Sequence, residues 1–414
     1  MNEKKYNRWI ILLAATIGSF CLGGSYAWSV FQKPLMAMYH WTPSQVSMAF
    51  TLCYVMMGVT MIVAGRLQDQ HGPRRLLLVG GFMWGGGIAL AGFATTLTQL
   101  YLAYGVISGL GNGIVHSCVV ANTVKWFPDK KGVATGLVVA GAGVGAMVSA
   151  PIISSIVYGY GVAQALHALG LTYVLVIATA SMFVMLPPDN YQSDLKASAN
   201  RMSASHGGTD KTWKEMVQDP LFYVLWTMYA LGASSGLMII GHAVSIGQEL
   251  SNLSVAMGAL SVSIISLANT CGRVSWGYLS DKIGCYQALM GVYLLSTVSM
   301  SLLVYSQSVY SFILAISIVG LCYGGVVTIF PTVTADLFGS KHLGLNFGIL
   351  FTAFAAAALV GPRLAAQCKE ITGTYSLAFT IGIVFGFCGI ATTLLMIWRN
   401  KLRYQQQLTA QAES

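Results

Sequence analysis

Apolar positions along this chain do not alternate with polar ones as ten-residue barrel strands do; they run in long continuous blocks broken by short polar turns. A bilayer crossing needs about 20 mostly apolar residues. Read against the turn signals, the blocks predict twelve spans, at 9–31, 44–64, 76–96, 98–120, 132–157, 163–186, 221–247, 254–277, 287–306, 309–332, 344–367 and 373–398. In lipid every backbone N–H and C=O must find its partner inside the protein, so a chain of such blocks folds as helices. The expected fold class is all-α, a polytopic membrane protein with twelve transmembrane helices in two pseudo-symmetric six-helix bundles. The one long hydrophilic stretch is 187–220, which opens on Pro187-Pro188 and carries Ser, Asn, Asp and Lys without periodicity. It reads as a cytoplasmic linker with a short amphipathic helix near Trp213–Val217, between an N-terminal bundle at 1–186 and a C-terminal bundle at 221–414.

Composition agrees with the pattern. Of 414 residues 55% are hydrophobic and 8% charged, with a mean hydropathy of +0.67; a soluble domain carries roughly a quarter charged residues. The net charge of +9 would suggest nucleic acid in a soluble protein. Here the basic residues sit in short loops and report topology instead. With the N-terminus inside, 18 of the 22 Lys and Arg fall on the cytoplasmic side. Lys33 and Lys369 fall in outer loops, and Arg273 and Arg363 fall within spans. That distribution requires an even number of spans and puts both termini in the cytoplasm, and the compact loops suit a cell inner membrane. Lys4, Lys5 and Arg8 before the first block imitate a signal peptide, but the block continues to Phe31 without a small-x-small cleavage site and reads as a retained span. Eight scattered cysteines with no CxxC pair read as small buried hydrophobes. No cofactor, metal or catalytic set assembles from the spans, and the expected partners are the bilayer and a small solute, with no nucleic acid and a monomeric chain. Glycine runs such as Gly105-x3-Gly109-x-Gly111-x-Gly113 are packing stripes, because no GxxxxGK and no preceding strand accompany them.

An internal repeat follows. Gly65-Arg66-Leu67-Gln68-Asp69-Gln70-His71-Gly72 comes after span 2, and Gly277-Tyr278-Leu279-Ser280-Asp281-Lys282-Ile283-Gly284 comes after span 8, an offset of 212 residues. Phe127 with Lys130-Lys131 and Phe338 with Lys341-His342 repeat at nearly the same offset. Glycines at such a turn allow tight packing, while an aspartate accepts backbone N–H bonds at a helix start and pairs with a basic neighbour. On the resemblance to the major facilitator superfamily that this repeat carries, Asp69, Arg66, Asp281, Gly65 and Gly277 are gating or structural residues. The bland reading makes the aspartates ordinary loop residues, and the duplication weighs against it.

The duplicated Gly-x-x-x-Asp-x-x-Gly resembles the signature of the major facilitator superfamily. Within it, Gly23-Gly24-Ser25-Tyr26-Ala27-Trp28-Ser29-Val30-Phe31, Lys125-Trp126-Phe127-Pro128-Asp129-Lys130-Lys131-Gly132, Asn269-Thr270-Cys271-Gly272-Arg273 and Phe330-Pro331 to Asp336-Leu337-Phe338-Gly339 look like the monocarboxylate and oxalate/formate porters. The resemblance covers most of the chain outside 187–220. It implies a secondary transporter working by alternating access, with a small organic anion as substrate and either a proton or a counter-transported anion as coupling partner. The motifs are specific to the family and not to the substrate.

Arg273 is the leading candidate. It stays protonated in practice, and no carboxylate lies in any span core to neutralise it. From the residues alone it is either the fixed counter-charge of a bound carboxylate or a side chain snorkelling to the inner interface one turn from Gly277; the resemblance favours substrate. Two departures from the family pattern narrow the expectation. The oxalate carrier's helix 11 lysine is matched here by Phe354, and one fixed charge suits a monoanion better than a dianion. The aspartate one turn before the arginine in proton-coupled porters is matched by Asn269, which puts that route of proton symport in doubt and leaves anion exchange beside it. His116 stands where the oxalate/formate group often has Tyr. It is either a hydrogen-bonding or proton-coupling group or a histidine satisfied by its neighbours. The resemblance places Tyr26, Tyr323 and Phe351 on the cavity wall, against packing as the default for aromatic residues in a span; Ser25 is weaker. His167 and His242 read as packing, and Arg363 as an interface anchor. The expected substrate is a small monocarboxylate of the pyruvate, lactate or formate class. An oxalate/formate antiporter and a transporter-like sensor are the alternatives.

Overall fold

The computed structural model describes residues 7–188, 210–251, 255–306 and 308–412, and every regular element in them is helical. Helix α1 starts at Arg8–Leu22, tightens to a 3-10 turn over Gly23–Ala27 and resumes as Trp28–Tyr39. Then come α2 (Pro43–His71), α3 (Pro73–Ala91), α4 (Leu97–Trp126, with a π-helical stretch at Tyr101–Ser108), α5 (Lys131–Tyr160) and α6 (Val162–Ser181). A short linker helix, Trp213–Gln218, precedes α7 (Pro220–Ile240, then Ala243–Ser251). The second set continues with α8 (Val255–Ile283), α9 (Cys285–Val304), α10 (Val309–Phe338), α11 (Leu343–Leu350 and Thr352–Thr372) and α12 (Ser376–Ala412).

Ten of these helices are long and apolar enough to cross a membrane on length and composition alone. The other two, α3 and α8, fill the third and eighth places of the pattern. Arg74, Arg75 and five glycines dilute α3.

The sequence pattern misplaces several boundaries: α3, α6 and α9 stop short of it, at Ala91, Ser181 and Val304, and others run past it. The first span runs on to Tyr39, and α2, α8 and α10 continue to His71, Ile283 and Phe338. An apolar block ends where lipid ends, whereas a helix ends where a residue leaves helical φ/ψ. Gly65, Asp69, Gly277 and Asp281 are therefore helical and not turn residues. The turns are made by Gly72 at φ 83° and Gly284 at φ 93°, a backbone region that glycine enters without Cβ strain. Gly161 (φ 91°) and Gly373 (φ 74°) end α5 and α11 in the same way. Both glycine pairs stand 212 residues apart (284 − 72 and 373 − 161), so the repeat read in the motif extends to the helix terminators.

The helices start on side-chain caps. Thr42 with Gln45, Thr96 with Gln99 and Ser308 with Ser311 form capping boxes, and Pro43 and Pro220 occupy first-turn positions that need no N–H donor. The expected linker helix is present, capped by Thr212 and Glu215, whose carboxyl is held below its usual range by the Thr212 backbone N–H. The rest of the expected linker, 189–209, lies outside the described residues. So do Lys4, Lys5 and the side chain of Lys33. Lys369 is in the last turn of α11 and not in a loop, where it pairs with Glu249.

Within the first set α3 packs on α6 and α2 on α4; within the second, α8 packs on α10 and α9 on α12. The sets meet where α5 lies along α8 and α2 along α11. Buried polar atoms in the bundles bond across helices, as lipid demands. Trp84 Nε1 donates to the Cys21 carbonyl (3.1 Å), Tyr293 Oη to the Met228 carbonyl (2.7 Å), and Ser149 Oγ lies 2.9 Å from Tyr173 Oη. The outer faces are apolar, with Phe82, Leu175 and Phe387 among the exposed side chains.

Candidate functional site

Two glycine contacts draw the sets together at one end. A Cβ on Gly132 would collide with the Gly277 carbonyl and one on Gly65 with the Gly344 carbonyl, so α5–α8 and α2–α11 touch backbone to backbone there. The duplicated aspartates complete the closure. Asp281 accepts the N–H groups of Gly132 (2.7 Å) and Val133 (2.8 Å) at the start of α5. Asp69 accepts those of Gly344 (3.2 Å) and Leu345 (3.0 Å) at the start of α11. Each carboxylate therefore caps a helix of the opposite set, where orphan N–H groups and the helix dipole favour negative charge. The basic neighbour of Asp69 is Lys125 (2.6 Å, both side chains at most 7% exposed). Arg66 is exposed and makes no ion pair with a described residue. Lys131 adds an ion pair to Asp336 of α10 (2.6 Å).

Behind this closed end a small cavity lies between the sets. Leu22, Ser25, Tyr26, Tyr54, Met57, Asn112, His116, Val139 and Ala142 form its wall on the first set; Arg273, Val327, Phe351 and Phe354 form it on the second. Arg273 is 2% exposed, while Tyr26 at the other extreme is 42% exposed. Eight helical residues separate Arg273 from Asp281, about 12 Å at 1.5 Å per residue, so the guanidinium serves the cavity and does not reach the helix end.

The sequence around Arg273 is built to let backbones close on it. Gly324 of α10 leaves no room for a Cβ, which would sit 2.8 Å from Arg273 N, and Gly136 of α5 abuts the Arg273 carbonyl. The guanidinium donates through Nε to Asn269 Oδ1 (3.1 Å) and through a terminal nitrogen to the Val139 carbonyl of the opposite set. Both acceptors are neutral. Among the described residues no carboxylate pairs with Arg273; the five ion pairs lie elsewhere. A buried cation with only neutral acceptors is costly and retains affinity for an anion.

The other sequence candidates divide. Tyr26, His116 and Phe351 line the same cavity as Arg273, with the His116 and Phe351 rings 5.5 Å apart. Asn269 sits behind Arg273 as its acceptor and is not on the wall. Tyr323 turns toward a second, smaller space inside the C-terminal set, beside Tyr293, Gly232 and Gly236. His242 bonds the Met238 carbonyl (3.3 Å) and His167 packs on Phe93 (4.2 Å). Arg363 is exposed on α11 away from the cavity. Phe354 is on the cavity wall, stacked on Phe351 at 4.9 Å. Sequence reading missed Tyr54, whose hydroxyl meets Ser25 Oγ at 3.1 Å, and Asn112. Asn112 had a signal: it is the polar residue within a glycine stripe, one helical turn before His116 and on the same face.

The family model described as Major Facilitator Superfamily matches residues 9–362 and 252–412, and the chain belongs to that family of membrane transporters. It is 30% identical over 398 residues to the oxalate:formate antiporter of Oxalobacter formigenes, covering 95% of this chain and 92% of that one. It is 26% identical over 365 residues to monocarboxylate transporter 12 of Rattus norvegicus, covering 81% and 72%. The fold is similar to a crystal structure of the transporter FucP in its outward conformation, with a TM-score of 0.71 and 12% identity over 93% of this chain and 98% of that one.

Proposed function

We propose that this chain carries a small monocarboxylate, of the pyruvate, lactate or formate class, across a cell inner membrane by alternating access, as an anion exchanger or proton symporter. The observation that carries the reading is Arg273: one buried guanidinium at the cavity wall, without a carboxylate partner among the described residues, opposite a face of hydroxyl, amide and imidazole groups. A bound carboxylate supplies the missing counter-charge through a bidentate, charge-assisted pair. Tyr26, Tyr54, Asn112 and His116 offer hydrogen bonds on the other side, and Phe351 and Phe354 exclude water. The basic residues at the Asp69/Asp281 end make that end, and both termini, cytoplasmic. Residues 1–186 and 221–414 then form the two rocking halves, joined by 187–220, in an outward-facing state.

Oxalate/formate exchange is the second reading, favoured by the similarity to the oxalate:formate antiporter. Phe354 weighs against it, because a second carboxylate in this cavity finds no second cation. Counterflow in proteoliposomes separates the two: unlabelled pyruvate, lactate, formate or oxalate is loaded inside and entry of labelled pyruvate is followed. Monocarboxylates are expected to drive accumulation and oxalate not to; accumulation driven by oxalate alone reverses the assignment, and none from any acid removes it.

Two substitutions sharpen the test. Phe354→Lys places a second cation in the cavity and is expected to raise oxalate counterflow relative to pyruvate by about tenfold or more. An unchanged ratio means that position 354 does not set charge selectivity. Asn269→Asp gives Arg273 an internal counter-ion. Ionised at neutral pH, that carboxylate competes with substrate and weakens apparent affinity; as pH falls and it protonates, affinity recovers. The expected result is an acid-dependent rescue absent from the wild type, read from counterflow as a function of pH.

A further inference from the structure

Tyr229 of α7 is 0% exposed, yet its hydroxyl has no hydrogen-bond partner among the described residues. Packing accounts for the ring. It stacks on Phe330 of α10 at 4.3 Å and meets Phe351 and Phe354 of α11 at 6.2 and 6.0 Å. Packing does not account for the hydroxyl, because a phenylalanine makes the same contacts without burying an unpaired polar atom.

The surroundings turn that hydroxyl toward the cavity. Phe351 and Phe354 line the cavity wall, and Tyr229 lies directly behind them. Its hydroxyl is within electrostatic reach of both Arg273 and Tyr26, which stand on opposite walls of the cavity. The cover is placed to move. Phe351 is the junction between the two segments of α11, Leu343–Leu350 and Thr352–Thr372, and element-terminal residues of this kind absorb changes in φ and ψ. Next to the junction, Thr352 Oγ1 donates to the Ile349 carbonyl (2.7 Å) and accepts from Trp226 Nε1 of α7 (2.9 Å). Trp226 and Tyr229 are three residues apart and share a helix face, so the face of α7 that holds the junction also carries the unpaired hydroxyl.

We propose that Tyr229 is a specificity-determining residue: when Phe351 swings aside on loading, its hydroxyl bonds the oxygen on carbon 2 of a 2-oxo or 2-hydroxy monocarboxylate held by Arg273. This rests on the monocarboxylate reading above. A carboxylate in a bidentate pair with Arg273 uses both of its oxygens there, so the Tyr229 hydroxyl serves a different oxygen. A phenol donates to a 2-oxo group and either donates to or accepts from a 2-hydroxyl. An acid without that oxygen leaves the buried hydroxyl unpaired, and a site built around such a bond discriminates against it.

Propionate has the carbon skeleton of pyruvate and lactate without the oxygen on carbon 2, and Tyr229→Phe keeps the ring without the hydroxyl. Apparent affinities for pyruvate, lactate and propionate are measured on both proteins by counterflow and by ligand-induced thermal stabilisation. The wild type is expected to favour pyruvate and lactate over propionate by about tenfold or more. The variant is expected to lose that preference, with pyruvate and lactate weakened and propionate unchanged, and to melt without ligand at or above the wild-type temperature. An unchanged preference in the variant, an equal loss for all three acids, or a wild type that does not distinguish them overturns the inference alone. A wild type that neither binds nor exchanges any of the three removes the monocarboxylate reading, and this inference with it.

Discussion

Replacing Arg273 by glutamine is expected to abolish exchange while leaving a folded, monodisperse protein. Glutamine is two bonds shorter and uncharged, so the fixed charge and the reach to the Val139 carbonyl are both lost, while the backbone packing at Gly136 and Gly324 is untouched. Removing one partner of a buried charge pair costs about 3–5 kcal/mol, which corresponds to a loss of roughly 10²–10⁴-fold in affinity. Arg273→Lys tests the geometry separately: it restores charge without the planar fork, and its transport is expected to fall between wild type and glutamine. Counterflow and ligand-induced thermal stabilisation, measured on the same preparations, check both. A glutamine variant that still exchanges anions at the wild-type rate removes Arg273 from the binding site, whatever the family resemblance implies.

Gly132→Ala is expected to have an effect of similar size by another route. The new methyl group would meet the Gly277 carbonyl, a backbone atom that cannot rotate away. To make room, α5 and α8 must separate, which breaks the bonds from Gly132 and Val133 to Asp281. The state closed at the Asp69/Asp281 end then loses population, the state open there gains it, and exchange falls by about tenfold or more. Spin-label distances between α5 and α8 at that end report the shift directly. Gly86→Ala is the matched control: nothing lies within 4 Å of its Cβ position, so a change there is expected to be neutral or slightly stabilising. Equal behaviour of the two variants contradicts the closure geometry.

How much of this the sequence disclosed depends on how each residue contrasts with its surroundings. Twelve apolar blocks stand out against polar turns, so the class of fold and the repeat were legible. Arg273 was legible because it is a charge within an apolar block. The ends of the helices were not, since α2 and α8 continue through polar residues to Gly72 and Gly284 and lipid depth says nothing about backbone φ. Tyr54 and Asn112 escaped because an aromatic or a small amide in a span is packing by default, and only the arrangement of α1, α2 and α4 turns them to one space. Tyr323 was expected on the same wall as Arg273. It faces the smaller space among α7, α9 and α10 instead, and a match of aromatic positions carries no information about which side of a helix faces which neighbour. For the closure, the sequence named both aspartates. It did not disclose that each caps a helix in the other half, because a donor that is a peptide group leaves no mark in the side-chain pattern.

That last point bears on how such a protein drifts. The four donors at the closed end, in Gly132, Val133, Gly344 and Leu345, are main-chain N–H groups, which nineteen of the twenty amino acids possess. At Val133 and Leu345 the side chain is therefore free to vary without touching the hydrogen bond, and only proline deletes it. The two acceptors have no such latitude, since each carboxylate receives two donors at once. Relatives can thus exchange Val133 and Leu345 and keep a working closure, so long as the two aspartates, Gly132 and Gly344 stay in place.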